Sequence, residues 1–226
     1  MSNITKTITD NIAFIKDEIR QACNYAGVDE AQPNLIAVSK RQEPDRIIAA
    51  LDAGLRIFGE NLVQEASDRW PELKRRYNDI KLHLIGGLQS NKTANAVALF
   101  DVIETIDREK IARSIARECE KQDRHPEIFI QVNTGEEPQK GGVLPADLDS
   151  LVKYVRDELS LPLVGLMCIP PEGDDPAMHF ALMKKLAKRH KLERLSMGMS
   201  SDFALAASMG ATDIRVGTAI FGERSY

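Results

Sequence analysis

The sequence has few of the features that mark secreted, metal-binding or membrane proteins. Its three cysteines, Cys23, Cys119 and Cys168, are far apart and form no C-x-x-C pair, so neither a disulfide framework nor a zinc site is indicated. The four histidines show no metal-ligand spacing. No apolar run approaches the roughly 18 residues of a membrane span, and no signal-peptide core follows Met1. We therefore expect a cytoplasmic protein without a metal ion or a membrane contact.

An excess of basic charge is also missing. The 226 residues include 30 Lys and Arg against 34 Asp and Glu, which gives a net charge of −4 and argues against a nucleic-acid partner. Hydrophobic residues make up 43% and charged residues 28%, as in ordinary globular proteins. No linker or low-complexity segment divides the chain, so we expect residues 1–226 to form a single domain.

What the chain does contain is a repeated unit, in which a short apolar run, a polar or glycine-bearing turn and a helical pattern follow one another. Apolar runs without polar alternation are typical of parallel strands that are covered on both faces. The eight candidate strands are Leu35–Val38, Ile57–Phe58, Leu82–Ile85, Val102–Ile103, Ile128–Val132, Leu163–Met167, Arg194–Ser196 and Ile214–Val216. Eight such units predict an α/β fold, a closed (β/α)8 TIM barrel. An open doubly wound sheet is the alternative, but no G-x-G-x-x-G follows the first strand.

The helical patterns lie between these strands. The predicted helices are Pro44–Asp52, Leu62–Tyr77, Asn91–Leu99, Arg108–Gln122, Ala146–Leu159, Pro176–Lys191 and Asp202–Met209. Pro71 is expected to kink or split the second of them. An extra N-terminal helix precedes the first strand, because Ile8, Ile12, Ile15 and Ile19 recur at steps of four and three.

In a (β/α)8 barrel the site lies in the loops that follow the strands. Lys40 directly follows the first apolar run. A lysine that is partly desolvated at the barrel mouth is favoured in its neutral form, and a neutral amine can form a Schiff base with an aldehyde. The alternative, a solvated loop lysine, is favoured by spacing alone.

The last two loops predict a phosphate site. Barrels often bind phosphate between the loops after strands seven and eight. Ser200 and Ser201 follow strand seven, while Gly217 and Thr218 follow strand eight, so hydroxyl and backbone N–H donors would converge there. Helix capping by a serine and a tight turn at Gly217 are the alternative roles.

Arg215 alternates with Ile214 and Val216, so we expect it on the inner face of its strand. A buried arginine needs a partner. Asp213, on the same face, and the ring nitrogen of a pyridine ligand are the two candidates.

These motifs together resemble one family. The strings are Ala37-Val38-Ser39-Lys40, Phe58-Gly59-Glu60-Asn61, His83-Leu84-Ile85-Gly86, Leu88-Gln89-Ser90-Asn91-Lys92, Leu195-Ser196-Met197-Gly198-Met199-Ser200 and Arg215-Val216-Gly217-Thr218-Ala219-Ile220-Phe221-Gly222. They look like the pyridoxal phosphate homeostasis proteins, and they occur in order from Leu35 to the C-terminus.

The resemblance implies a barrel like the N-terminal domain of alanine racemase, with pyridoxal 5′-phosphate (PLP) as the cofactor. It implies that Lys40 carries PLP as an internal aldimine and that Arg215 faces the pyridine nitrogen. Asn61 and Met199 match positions near the ring, and Lys140 matches a second lysine linked to cofactor transfer. The phosphate positions are those matching Ser200, Ser201, Gly217 and Thr218.

The function implied is PLP homeostasis inside the cell, by buffering or delivery of the cofactor to PLP-dependent apoenzymes, with effects on amino-acid and keto-acid balance and without enzymatic turnover. One alternative is a PLP-dependent amino-acid racemase, which needs two opposed bases. A Schiff-base sugar-phosphate aldolase is another. Because the dimer contacts of racemases lie in a β-domain that this family lacks, we expect a monomer.

Overall fold

The computed structural model describes residues 3–28 and 32–222, and eight parallel strands close into a barrel in the order in which they occur in the chain. The strands β1 to β8 are Asn34–Val38, Ile57–Glu60, Lys81–Leu84, Val102–Ile106, Glu127–Val132, Leu163–Cys168, Arg194–Ser196 and Asp213–Val216. The (β/α)8 fold predicted from the sequence is confirmed, and the open sheet is not found.

Helices surround the barrel. The helices α1 to α9 are Asn3–Ala26, Pro44–Asp52, Val63–Arg76, Thr93–Leu99, Glu109–Gln122, Leu148–Lys153, Pro176–His190, Phe203–Ser208 and Thr218–Phe221. A 3-10 turn over Ser90–Lys92 leads into α4, and α6 continues as a π-helical segment over Tyr154–Glu158. The short α9 directly after β8 was not predicted.

The predicted break at Pro71 does not split α3, which continues through that residue. Val63, Ala66 and Trp70 are buried in the turns that precede Pro71, and Leu73 after it is partly buried against the same core. The Trp70 ring lies 4.9 Å from that of Phe58. Packing of this face therefore outweighs the cost of one proline.

The N-terminal helix α1 covers the place where the barrel closes. Its apolar stripe of Ile8, Ile12, Ile15 and Ile19 is at most 4% exposed and packs with α2, α8 and α9. Burial of each isoleucine contributes roughly 2 kcal/mol before conformational entropy is counted. The helix thus braces the elements that flank β1 and β8.

The pairing of β1 with β8 positions the site. Leu35 pairs with Ile214 and Ala37 with Val216, so the two strands end side by side. Their following residues, Lys40 and Gly217, are therefore brought to the same end of the barrel. A Cβ atom at Gly217 would lie 3.4 Å from Val38, so the chains approach closely there.

The main hydrophobic core lies between the strands and the surrounding helices. A second, smaller cluster of Val102, Phe129 and Met167, with Val164 against it, comes from strand positions that alternate with those of the main core. Because side chains alternate along a strand, this cluster fills part of the barrel interior. The interior also holds buried polar side chains, among them Glu104 and Arg215, the second of which leads to the site.

Candidate functional site

A cavity of about 300 Å³ opens at the C-terminal end of the barrel. It is lined by Val38, Lys40, Gln42, Asn61, Ile85, Ile169, Met199, Ser200, Ser201, Arg215, Gly217 and Thr218. The residues come from the ends of six different strands and from the loops that follow them, as expected for a barrel site. Mixed polar and apolar walls are typical of small-molecule pockets.

The backbone around Lys40 is clamped from outside the barrel. Arg69 of α3 donates from Nη1 to the carbonyl oxygen of Ser39 and from Nη2 to that of Gln42, both at 3.2 Å. The same guanidinium lies 3.0 Å from the Glu60 carboxylate, which also accepts hydrogen bonds from Ser39 Oγ at 2.8 Å and from Trp70 Nε1 at 3.0 Å. These contacts fix the segment on both sides of Lys40.

Glu60 itself is a buried carboxyl group. Burial raises its pKa, because desolvation outweighs the hydrogen bonds from Trp70 and Ser39 and the charge of Arg69. Its second oxygen, Oε2, has no hydrogen-bond partner among the described residues. Glu60 therefore acts on the site through the Lys40 segment and does not line the cavity.

Asn61 enters the cavity directly after β2. Its Oδ1 atom is buried and has no hydrogen-bond partner within the described part of the chain. The neighbouring Gly86 leaves space for it, since a Cβ there would lie 2.2 Å from the Asn61 carbonyl oxygen. A buried polar atom without a partner is costly, which makes the Asn61 amide a candidate for contact with a ligand.

The loops after β7 and β8 place donors on one side of the cavity. Ser200 Oγ is approached by the backbone N–H groups of Gly217 at 3.3 Å and Ala219 at 3.5 Å, which are long contacts. Ser201 and Thr218 are exposed beside them. Weakly engaged N–H and O–H donors at this position suit an anionic group.

A tight turn shapes the first of these loops. Gly198 has a φ of +91°, and a Cβ there would lie 2.4 Å from that of Ala206. The next residue, Met199, donates its N–H to Asp202 Oδ1 at 2.6 Å. Only glycine fits this close approach, which turns Met199 and Ser200 toward the cavity.

Arg215 forms the floor of the cavity and is 3% exposed. Its Nη1 donates to Ser196 Oγ at 2.5 Å, and its Nη2 donates to the carbonyl oxygen of Cys168 at 2.7 Å. Glu104 Oε2 lies 3.9 Å from Nη1. Of the two candidate partners of Arg215, Asp213 is instead paired with Arg194 at 2.6 Å, at the start of the strand.

All eight predicted binding residues meet at this cavity. Sequence reasoning missed the apolar walls and the two residues behind Arg215, which are Glu104 and Ser196. Glu104 carried a usable signal, because an acidic residue on the same inner strand face as Val102 must have a polar partner. Lys140 does not line the cavity; its Nζ is 2.6 Å from Glu137 Oε2.

The nearest thiol does not offer a nucleophile. Cys168 is fully buried in β6, and burial raises its pKa to about 12, although the charge of Arg215 acts in the opposite direction. The thiol is therefore protonated at neutral pH and unreactive. Among the described residues that line the cavity, Lys40 is the one with a primary amine.

Comparison with known proteins places the chain in a family. The model of the alanine racemase N-terminal domain matches residues 11–225. The pyridoxal phosphate homeostasis protein of Vibrio cholerae is 39% identical over 231 residues, which cover 98% of this chain and 98% of the relative.

Solved structures agree with this placement. PipY of Synechococcus elongatus is 36% identical; its structure without PLP has a TM-score of 0.85 and covers 95% of this chain and 100% of PipY. The structure of PipY with PLP bound has a TM-score of 0.76 and covers 90% of this chain and 100% of PipY.

A more distant structure shows the fold alone. An alanine racemase of Bartonella henselae with covalently bound pyridoxal phosphate is 16% identical, with a TM-score of 0.72 over 98% of this chain and 61% of the racemase chain. Since both the family model and full-length relatives match, this chain belongs to the pyridoxal phosphate homeostasis protein family, built on the alanine racemase N-terminal domain fold.

Proposed function

We propose that this protein binds PLP covalently through Lys40 in the cavity at the C-terminal end of the barrel, which we call the mouth cavity. It would hold or deliver the cofactor for intracellular PLP homeostasis. The observation that carries the proposal is the convergence of a lysine, an anion-binding set of donors and a buried arginine on one cavity. The structure of PipY with PLP bound, at 36% identity, supports the same ligand.

The residues of the cavity fit this ligand. When bound, PLP supplies an aldehyde that condenses with a primary amine, and Lys40 is the amine at the cavity wall. Ser200, Ser201 and Thr218 would hold the phosphate through their hydroxyl groups, together with the N–H of Gly217. The long contacts of Ser200 with backbone N–H groups leave those donors available for a stronger acceptor.

The opposite side of the cavity would hold the ring. Arg215 presents a guanidinium whose orientation is fixed by Ser196 and Cys168, and it would donate to the pyridine nitrogen. Met199 and Ile85 offer apolar contacts, and the buried Oδ1 of Asn61 would gain a polar partner. The chain thus binds and orients the ligand with groups that it already holds in place.

We propose that the protein is not a racemase. Racemisation needs a second base on the face opposite the lysine. No tyrosine in residues 3–28 and 32–222 lines the cavity. Tyr25 is 96% exposed, the Tyr77 hydroxyl donates a hydrogen bond to Asp52, and the Tyr154 hydroxyl accepts one from Arg113. An arginine at the ring nitrogen also disfavours its protonation, and this weakens the ring as an electron sink.

Cytoplasmic location, a monomeric state and delivery to PLP-dependent apoenzymes complete the proposal. All three cysteines are free and buried, as expected in a reducing compartment. In the described part of the chain, no helix combines the length and apolar character that a bilayer span requires. Size-exclusion chromatography and transfer of PLP to an apo-aminotransferase would test the monomer and the recipient.

The decisive experiment is the visible absorption spectrum after addition of PLP, recorded for the wild type, Lys40→Ala and Lys140→Ala. Lys140 is the matched control, because it is a partly exposed lysine paired with Glu137 outside the cavity. We expect a protein-bound visible band, abolished by borohydride, in the wild type and Lys140→Ala but not in Lys40→Ala. A colourless wild type would overturn the proposal and favour a sugar-phosphate aldolase.

A second assay addresses catalysis. The PLP-loaded protein should racemise amino acids no faster than an equal concentration of free PLP. Turnover well above that background would overturn the non-catalytic assignment, while the cofactor assignment would stand.

A further inference from the structure

A line of four buried polar side chains runs through the barrel interior behind the cavity. We call it the core polar chain; it consists of Arg215, Ser196, Glu104 and His83, all at most 3% exposed. Ser196 Oγ lies 2.5 Å from Arg215 Nη1 and 2.5 Å from Glu104 Oε2. Glu104 Oε1 lies 2.6 Å from His83 Nδ1. The four residues come from β8, β7, β4 and β3, so the core polar chain spans the barrel interior.

The chemistry of the groups fixes the direction of the hydrogen bonds. A guanidinium can only donate, so Ser196 Oγ accepts from Arg215 and must give its own proton to Glu104 Oε2. The other carboxylate oxygen is then engaged by His83. The hydrogen bonds along the core polar chain therefore each have one direction, and a buried network of this kind restricts the orientation of its members.

The core polar chain connects two surfaces. Arg215 lines the mouth cavity, whereas His83 lines a polar depression at the other end of the barrel, together with Arg194 and Glu127. An arginine needs compensation when it is buried, and here its nearest carboxylate is Glu104 at 3.9 Å. A hydroxyl group between the two holds the guanidinium away from the carboxylate and toward the mouth.

We propose that Glu104, acting through Ser196, is a positioning residue that keeps Arg215 aimed at the ring nitrogen of bound PLP. This inference rests on the proposed function, because it assigns a role to residues that do not touch the cofactor. Without the Ser196 hydroxyl, Arg215 can move inward to pair directly with Glu104. The ring nitrogen would then lose its donor and the ligand would be held less firmly.

The test compares four variants of the PLP-loaded protein. Ser196→Ala removes the hydroxyl, Ser196→Thr keeps it, and Glu104→Gln replaces the carboxylate that accepts the Ser196 proton with a neutral amide. Asp213→Asn is the matched control, since it removes a buried carboxylate two residues from Arg215 that is bonded to Arg194 instead. Two readouts are used: the 15N chemical shift of isotope-labelled PLP at its ring nitrogen, and the rate of PLP release.

In Ser196→Ala and Glu104→Gln we expect the ring-nitrogen signal to move toward that of pyridine without a donor, with release about tenfold faster, the effect of one hydrogen bond to a charged group. Ser196→Thr should restore both values. Asp213→Asn should unfold at a lower temperature while its signal and its release rate match the wild type.

Unchanged signals and release rates in folded Ser196→Ala would overturn the proposal and leave the core polar chain a structural feature. If Glu104→Gln does not fold, the comparison of Ser196→Ala with Ser196→Thr decides alone. A wild type that retains no PLP on Lys40 overturns the proposed function and this inference together, and is recognised before any variant is compared.

Discussion

The two ends of the barrel are both polar, but they satisfy their polar groups in different ways. At the N-terminal end, Arg194 donates to both carboxylate oxygens of Asp213, at 2.6 and 3.1 Å, and to Glu127 at 2.6 Å. Its guanidinium also lies 4.9 Å above the Phe129 ring. At the C-terminal end, Asn61 Oδ1 is buried without a partner among the described residues, and Ser200 makes only long contacts.

This contrast separates stability from function. Charges that are paired within the protein hold the fold together, and removing one of them leaves its partner buried and uncompensated. Donors and acceptors without strong internal partners are available to a ligand. Substitutions at the N-terminal end should therefore change unfolding, and substitutions at the mouth should change binding.

The largest loss of stability is expected for Asp213→Asn. Loss of its pairing with Arg194 should lower the free energy of unfolding at pH 7 by about 3 kcal/mol, measured by urea denaturation, while PLP retention is unchanged. Asp79→Asn is the control: its carboxylate is 68% exposed, and its pairing with Arg56 is worth less than about 1 kcal/mol. Equal stability of Asp213→Asn and the wild type would contradict the account.

The same variant has a defined pH dependence. Burial alone would raise the pKa of Asp213, but hydrogen bonds from Arg194 and Thr212 outweigh it and hold the pKa below the ordinary 3.8. A carboxyl group with a lowered folded-state pKa stabilises the fold above its unfolded-state pKa and loses this contribution as the pH falls through the folded-state value. The difference between wild type and variant should therefore shrink below about pH 4.

At the mouth, the double substitution Ser200→Ala and Thr218→Val should weaken PLP binding about 100-fold, since each hydroxyl bonded to a charged group contributes about tenfold. Binding of pyridoxal, which lacks the phosphate, should not change. Ser208→Ala, which removes an exposed hydroxyl bonded to the Leu205 carbonyl oxygen, is the control. Equal weakening of both ligands would place the phosphate elsewhere.

Gly86→Ala tests whether the mouth tolerates added volume. Its Cβ would lie 2.2 Å from a backbone oxygen of Asn61, so the segment must shift, at a cost of about 2 kcal/mol, and PLP binding should weaken as well. Gly87→Ala has nothing within 4 Å of the added atom and should behave like the wild type in both assays. If Gly86→Ala and Gly87→Ala had the same stability and the same PLP affinity, the position of Asn61 would not depend on this close approach.

The smallest effect is expected for Glu60→Gln. Burial raises the pKa of Glu60, so its stabilising contribution is present below its unfolded-state pKa and is lost as the pH rises through the folded-state value. A glutamine oxygen can accept the same hydrogen bonds without this loss. The wild type should therefore lose stability relative to the variant as the pH rises above the ordinary glutamate pKa of 4.5, by about 1.4 kcal/mol for each tenfold change in the ionisation equilibrium. Parallel pH profiles would contradict this assignment.

Much of the fold could be predicted from the sequence, because each buried strand and each amphipathic helix has its own local pattern. Arg194–Ser196 and Pro44–Asp52 have the predicted boundaries. The site residues could also be placed, since the loops after parallel strands meet at one end of a barrel. These predictions need only local periodicity and one rule of topology, whereas the roles of Asn61 and Met199 were predicted from the family resemblance.

The partners of buried charges could not be predicted in the same way. Asp213 and Arg215 lie on the same face of β8, yet their hydrogen-bond partners lie at opposite ends of β7. Likewise, the helix through Pro71 depends on the packing of Trp70, a tertiary contact. Such features depend on three-dimensional neighbours that strand and helix periodicity does not specify.

The most direct test of the central claim is to map the attachment point. The PLP-loaded wild type is reduced with borohydride, digested and analysed by mass spectrometry. The account predicts the added phosphopyridoxyl mass on the peptide that contains Lys40 and on no other. The label on another lysine, such as Lys140, or on none would contradict the claim that the mouth of the barrel holds the cofactor through Lys40.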